Sequence, residues 1–343
     1  MRRVLVPSGI DGAGPALGGQ LHAMRGLTMG TSWSVRLVGS RSLNLTLLQR
    51  HVQQTLDQVV AEMSTWLDTS DLSRFNRAPA GHAQVLPADC FEVLQTGQAV
   101  ARASQGACDP TAGALVDLWG FGPTGRHDQP GFVPPTSADI EAARARCGWQ
   151  LLRIDEATST VWQPGGLRLD FSGIAKGFGV DQVARELSTQ GVRDFLVEVG
   201  GELRGAGMKP DGQPWWVALE MPPGVQVQGQ DPAEDNETLV ALHGLSVATS
   251  GDYRRFFDWE AQRHSHTIDP RTGHPVQNRV ASVTVLHAKC VLADAWSTAL
   301  TVLGVDAGLA LADERGLAVR FLQRADDGQV SEHLSRAFEG LAS

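Results

Sequence analysis

The stretch that most limits how this chain can fold is residues 169–181, Leu-Asp-Phe-Ser-Gly-Ile-Ala-Lys-Gly-Phe-Gly-Val-Asp. Residues 167–171 read as a strand, Ser172-Gly173 as a tight turn, and residues 177–188 as a helix. An acidic residue, Asp170, leaves the strand, and Lys176 stands at the helix opening. A helix N-terminus carries free N–H groups and a partial positive charge, and a lysine there adds a full one. The combination suits a phosphate, and the turn can also aim the Gly173 carbonyl at a cation. The plainer alternative is an ordinary strand–turn–helix with a solvated lysine. The segment is neither a Walker loop nor a Gly-x-Gly-x-x-Gly fingerprint.

Around this unit, strands and helices alternate, but hairpins outnumber βαβ units. Residues 43–63, 89–104, 136–146, 290–303 and 305–314 are expected as helices. Residues 32–38, 215–220, 239–249, 280–287 and 317–322 are expected as strands, with hairpins at 151–162 and 195–205. The run 64–76 is polar and turn-prone, and 221–236, rich in Pro, Gly, Gln and Asp, is expected as a long exposed loop. The pattern implies an α+β fold with a largely antiparallel sheet and packed helices. Residues 1–26 are set aside as a flexible leader, and 27–343 are read as one compact domain.

Charge narrows the function. The net charge is −9, so the general field repels nucleic acid, and a phosphate ligand needs a local device such as a lysine, a helix end or a metal. The four cysteines, Cys90, Cys108, Cys147 and Cys290, form no Cys-x-x-Cys pair, which speaks against a disulfide framework or structural zinc. No stretch has the roughly 18 apolar residues of a membrane span. The start, Met-Arg-Arg-Val-Leu-Val-Pro, lacks a secretory apolar region. The expectation is therefore a cytoplasmic protein, or a periplasmic one if the true start lies elsewhere.

Other segments carry chemistry. Asp294 and Thr298 are four apart, so on a helix they share a face, and a carboxylate with a hydroxyl suits Mg²⁺. A solvated Asp and a Thr bonded to its own helix is the alternative, but the apolar neighbours suggest a buried helix, where an unpaired Asp is costly. In the segment from His264 to Gly273, His264 and His266 point the same way if extended, and either suits proton transfer near neutral pH. Trp66 can stack on a planar ring, although a core tryptophan is the commoner case. Met29-Gly30-Thr31 opens the first expected strand, and Asp109-Pro110-Thr111 precedes Leu118-Trp119-Gly120-Phe121-Gly122.

In this order, Met29 to Thr31, Asp109 to Thr111, Leu118 to Gly122, Asp170 to Asp181, His266 to Gly273 and Ala293 to Thr298 resemble the ApbE family, the FAD:protein FMN transferases. The likeness runs from Met29 to about Gly304. It implies the family's α+β architecture and Mg²⁺-dependent cleavage of the FAD pyrophosphate. FMN would pass as a phosphoester to a Thr or Ser of an acceptor flavoprotein, with AMP leaving. By matching position, the Gly173 carbonyl, Asp294 and Thr298 would hold the metal. Met29, Trp66, Asp109, Thr111, Asp170, Lys176 and Ile268 would line the FAD site. His266 would be the general base, and Lys176 would neutralise the diphosphate. The family often has tyrosine where Trp66 stands. An FAD pyrophosphatase, giving FMN and AMP, and a non-catalytic FAD-binding protein are the competing readings.

Overall fold

In the computed structural model, the described residues are 3–7, 9–10, 19–225, 227–228, 237–260, 262–325 and 328–342. Eight strands form the main sheet: β1 (Gln20–Thr28), β2 (Thr31–Gly39), β3 (Phe195–Val199), β4 (Glu202–Ala206), β5 (Leu245–Gly251), β6 (Val280–His287), β7 (Ala318–Arg324) and β8 (Val330–Leu334). Each lies antiparallel beside the next in that order. The helices are α1 (Leu45–Met63), α2 (Asp71–Arg77), α3 (Ala88–Ala103), α4 (Gly113–Leu118), α5 (Ser137–Arg144), α6 (Ala175–Thr189), α7 (Cys290–Leu303), α8 (Val305–Arg315) and the single turn α9 (Arg336–Glu339).

Side chains alternate across a strand, so each strand offers two faces. Trp33, Val35 and Leu37 of β2, with Val197 and Val199 of β3, pack against Val52 and Leu56 of α1 and Val180 and Val183 of α6. The intervening Val38 and Leu196 turn to the other face. There they meet Leu5, Trp215, Val240 and Leu242 of a small sheet made of Arg3–Leu5, Trp215–Ala218 and Thr238–Leu242. Helix α7 is apolar nearly all round and is buried between the sheet and its neighbours α3 and α6, as such a helix must be. No helix among the described residues is long and apolar enough to cross a membrane.

The α+β, antiparallel expectation holds, and residues 280–287 and 290–303 fall on β6 and α7. Four local expectations need correction. The supposed leader contains two strands: Arg3–Leu5 pairs with residues 238–240, and β1 pairs along its whole length with β2. As an edge strand β1 buries little, leaving Leu21 and Leu27 exposed, so its sequence lacks a clear apolar face. The 64–76 run contains α2, whose Ser70 hydroxyl caps the Ser73 N–H at 2.9 Å; it is too short for helical periodicity to show. Residues 239–249 split at His243-Gly244, with Gly244 at φ +67°, into two strands of different sheets. Residues 167–171 are extended but lie outside the sheet. They are held on one side by backbone, where Arg168 bridges Ala112 and the Gly113 N–H donates to the Arg168 carbonyl at 3.0 Å, and on the other by a side chain: Asn76 accepts from the Leu169 N–H at 2.7 Å and donates to its carbonyl at 2.8 Å. Of the expected 221–236 loop, Val227 bridges to Val330, whereas 226 and 229–236 lie outside the described residues.

Candidate active site

The site is built where α6 begins against the middle of α7. Asp170 accepts from the Ser172 N–H at 2.7 Å, closing the turn, and the Ala175 N–H donates to the Phe171 carbonyl at 2.8 Å. No side chain of its own segment caps α6. Its cap comes from α7: Asp294 Oδ2 accepts from the Gly177 N–H at 2.9 Å, satisfying one of the donors every helix start leaves open. Glycine is required there, because a Cβ on Gly177 would fall on the Cys290 carbonyl oxygen and lie 2.7 Å from Asp294 Cβ. One turn along α7, Thr298 Oγ1 stands 3.5 Å from the Gly173 carbonyl oxygen, and a Cβ on Gly173 would come within 2.9 Å of that hydroxyl. Ser250 Oγ adds a contact to Thr298 Oγ1 at 3.4 Å.

Asp294, Thr298 and the Gly173 carbonyl are thus brought together as the sequence suggests. Asp294 Oδ1 accepts no hydrogen bond among the described residues. One carboxylate, one hydroxyl and one carbonyl are hard oxygen donors, the set that suits Mg²⁺ with further positions left for waters and phosphate oxygens. Among the described residues no three His, Cys, Asp or Glu side chains gather as a metal cluster, so a cation held here rests on this mixed oxygen set.

The charges around it are interdependent. Lys176 Nζ pairs with Glu202, which is almost wholly buried. Burial raises the Asp294 carboxyl above the usual range, with Lys176 and the Gly177 N–H pulling the other way. Burial also lifts Glu202, helped by the charge of Asp294 and opposed by Lys176, to about 7. Burial works against the Lys176 ammonium, but Asp294 and Glu202 hold it above the ordinary lysine value. Among the described residues Glu202 Oε2 is buried without a partner. Arg254 completes the group: its Nη1 donates to the Gly200 carbonyl at 2.9 Å, and its Nη2 pairs with Glu220.

His266 Nδ1 lies 2.9 Å from the Arg255 carbonyl. A carbonyl only accepts, so this contact assigns the proton to Nδ1 and leaves the lone pair on Nε2. Desolvation pushes the imidazole down to about 4, with the charges of Arg255, Lys176 and Arg254 acting in the same direction. It is therefore a neutral acceptor at ordinary pH. His264, two residues earlier, is spent on packing: it stacks between Trp119 and Phe257, with ring centroids 5.3 and 4.9 Å away.

The remaining expected residues fall into two groups. Met29 joins the site, with its Cε 3.1 Å from where a Gly179 Cβ would stand on α6. Asp109 and Asp170 flank it: the Asp170 N–H donates to the Pro110 carbonyl at 2.8 Å. Burial and then the charges of Asp109, Asp294 and Asp170 push the Cys108 thiol up to about 12. Asp109 and Thr111 are committed inward. The carboxylate accepts from the Thr111 N–H, the Thr111 hydroxyl and the Trp149 N–H at 2.8, 2.6 and 2.9 Å, and Thr111 Oγ1 accepts from the Gly148 N–H at 2.7 Å. Ile268 is likewise packed in an apolar cluster with Trp119 and Phe121. Trp66 stands apart, 51% exposed, with Arg126 at 5.6 Å over its ring. Arg126 and Arg168 also line a cleft of about 550 Å³ with Asp117, Phe132 and Val133. Sequence reading missed Glu202, Arg254 and Ser250; the only available hint was the Gly200-Gly201 pair followed by an acid.

A charged oxygen site at a helix crossing, carried by an eight-stranded antiparallel sheet, defines the class as an α+β protein with a buried carboxylate, a hydroxyl and a carbonyl gathered beside a lysine. The family model for the ApbE family matches residues 29–321, and this chain belongs to that family. It is 38% identical over 325 residues to the FAD:protein FMN transferase of Vibrio cholerae, covering 94% of this chain and 93% of the relative. It is 36% identical over 326 residues to that of Haemophilus influenzae, covering 93% and 91%. Among solved structures, the apo flavinyl transferase ApbE of Pseudomonas stutzeri matches at TM-score 0.83 and 38% identity, covering 94% of this chain and 97% of that one. The flavin transferase ApbE from Vibrio cholerae matches at TM-score 0.83 and 35% identity, covering 94% and 99%.

Proposed function

We propose that this protein is an FAD:protein FMN transferase that moves FMN from FAD to a Thr or Ser hydroxyl of an acceptor flavoprotein. The acceptor oxygen bonds to the flavin-side phosphorus, the P–O bond of the diphosphate bridge breaks, and AMP leaves with the bridging oxygen. The observation that carries this reading is the convergence of Asp294, Thr298 and the Gly173 carbonyl on the lysine-headed start of α6. Those three groups would hold Mg²⁺, which when bound neutralises diphosphate charge and stabilises the leaving group.

The protein's own groups do the rest. Lys176 and the N–H groups at the α6 start offset phosphate charge in an otherwise acidic molecule. His266 Nε2 takes the proton of the acceptor hydroxyl; its neutral state and its fixed tautomer make it ready to accept. Trp66 offers a face for the isoalloxazine ring. Asp109 and Thr111 position: their inward bonds tie residues 109–111 to 148–149 beside the turn at Asp170.

The test is incubation with FAD, Mg²⁺ and an acceptor flavoprotein. Covalent flavin on the acceptor with stoichiometric AMP is expected. AMP with free FMN would show a pyrophosphatase instead, and intact FAD would leave a binding protein.

A further inference from the structure

Arg254 has no part in the chemistry above, yet its side chain approaches the same place as Lys176. The two cations close on the turn between β3 and β4 from different directions. That turn is Gly200-Gly201, with φ of +61° and +106°, where side-chain-bearing residues are strained. A Cβ on Gly201 would lie 2.8 Å from Arg254 Nη2, and one on Gly200 would lie 3.4 Å from Lys176 Cδ. The missing side chain at Gly201 is what lets the Arg254 guanidinium close in; at Gly200 a Cβ would meet Thr31 Cγ2 at 2.8 Å, and the Lys176 stem passes it at ordinary contact distance. The charge of Arg254 bears on Asp294, Lys176, Glu202 and His266, so the guanidinium lies within electrostatic reach of the proposed metal ligand, the phosphate-facing lysine and the proposed base.

We propose that Arg254 is a second binding residue for the diphosphate of FAD, exchanging Glu220 for phosphate oxygens while the Gly200 carbonyl keeps it in place. This rests on the FAD chemistry proposed above. The exchange is chemically balanced. A guanidinium presents five N–H donors in a planar fork that matches phosphate. Glu220 is 36% exposed at its side chain, so water can take over its charge when Arg254 leaves, and an ion pair that exposed contributes little to the fold.

Flavin fluorescence titrations with FAD and with riboflavin, at fixed Mg²⁺ and before turnover accumulates, separate the possibilities, because riboflavin has the ring and no phosphate. In Arg254→Met, FAD affinity is expected to fall about tenfold or more, the size of a lost charge-assisted contact. Riboflavin affinity should stay within about twofold, and Arg254→Lys should fall between for FAD. Unchanged FAD affinity in Arg254→Met, or equal loss of both ligands, overturns the assignment. A wild-type protein that binds riboflavin as tightly as FAD fails at an earlier point: it removes the dinucleotide reading itself, and Arg254's role with it.

Discussion

The α6–α7 crossing and the cleft beside Trp66 are built from opposite materials. At the crossing, Asp294 and Glu202 are 3% and 1% exposed, and the backbone approach is so close that Gly173 and Gly177 have no room for a side chain. At the cleft, Trp66 and Val133 are 51% and 66% exposed, and Arg126 pairs with an equally accessible Asp128. In the first region each charge depends on its neighbours, since removing one leaves others buried and uncompensated. In the second, solvent compensates for the loss of Trp66, Val133 or Arg126. Substitutions at the crossing should therefore disturb chemistry and stability together, and those at the cleft should disturb ligand affinity alone.

Asp294 is the sharpest way to break that contrast, because it is both helix cap and proposed metal ligand. Asp294→Asn keeps an oxygen for the Gly177 N–H but loses the charge. Transfer is expected to drop about a thousandfold or more, and the melting temperature should fall as well, because Lys176 loses one of its two buried counter-charges. Asp294→Ala should lose the same activity and also cost about 1–3 kcal/mol, because the Gly177 N–H is left unsatisfied. Full activity in the Asn variant would make Asp294 a cap and nothing more.

His266 gives the next largest effect. Its pKa is held near 4, below the ordinary histidine value of 6.5, so the neutral, accepting form is present above pH 4 and is lost as pH falls through it. The acid limb of kcat/KM for FAD should thus lie near pH 4. His266→Gln should reduce transfer about a hundredfold while leaving FAD affinity nearly unchanged. The same shift has a stability consequence. The unfolded chain binds this proton from about pH 6.5 downward and the folded one only near 4, so stability is full above pH 6.5 and falls through that window. In His266→Gln that part of the decline should vanish. An acid limb at 6.5 that survives the substitution would assign the base to another group.

What could be read from the sequence divides within the crossing itself, between partners set by local spacing and partners brought together by strand pairing. Asp294 and Thr298 lie one helical turn apart, and Asp170 to Lys176 is a continuous strand-end, turn and helix start, so local spacing was enough to mark them. Nothing local marks Glu202 or Arg254. Lys176 and Glu202 are 26 residues apart, and Arg254 reaches Gly200 across 54; such partners meet only after β3, β4 and β5 have paired. Asp109 and Thr111 show the reverse: the motif was visible, but only the fold reveals that their polar atoms point at each other and at residues 148–149. β1 resembles a leader in sequence because an edge strand needs few apolar residues, and α2 leaves no periodic signal because its seven residues hold too few turns to show one.

Trp66 should give the smallest effect and the cleanest separation between ring and phosphate recognition. Its half-exposed ring makes little of the core, so Trp66→Ala should leave the melting temperature almost unchanged, within the about 0.5 kcal/mol typical of surface changes. Stacking on an aromatic contributes about 1–3 kcal/mol per base by alanine substitution, so a loss of about tenfold in flavin affinity is expected. Because stacking engages the ring and not the diphosphate, FAD and riboflavin should weaken together, unlike the FAD-only loss assigned to Arg254. Trp66→Phe keeps an aromatic face and should recover most of the affinity. If Trp66→Ala binds both ligands normally, the flavin ring lies elsewhere. If it melts several degrees lower, the cleft is part of the fold's support, and the contrast with the α6–α7 crossing no longer stands.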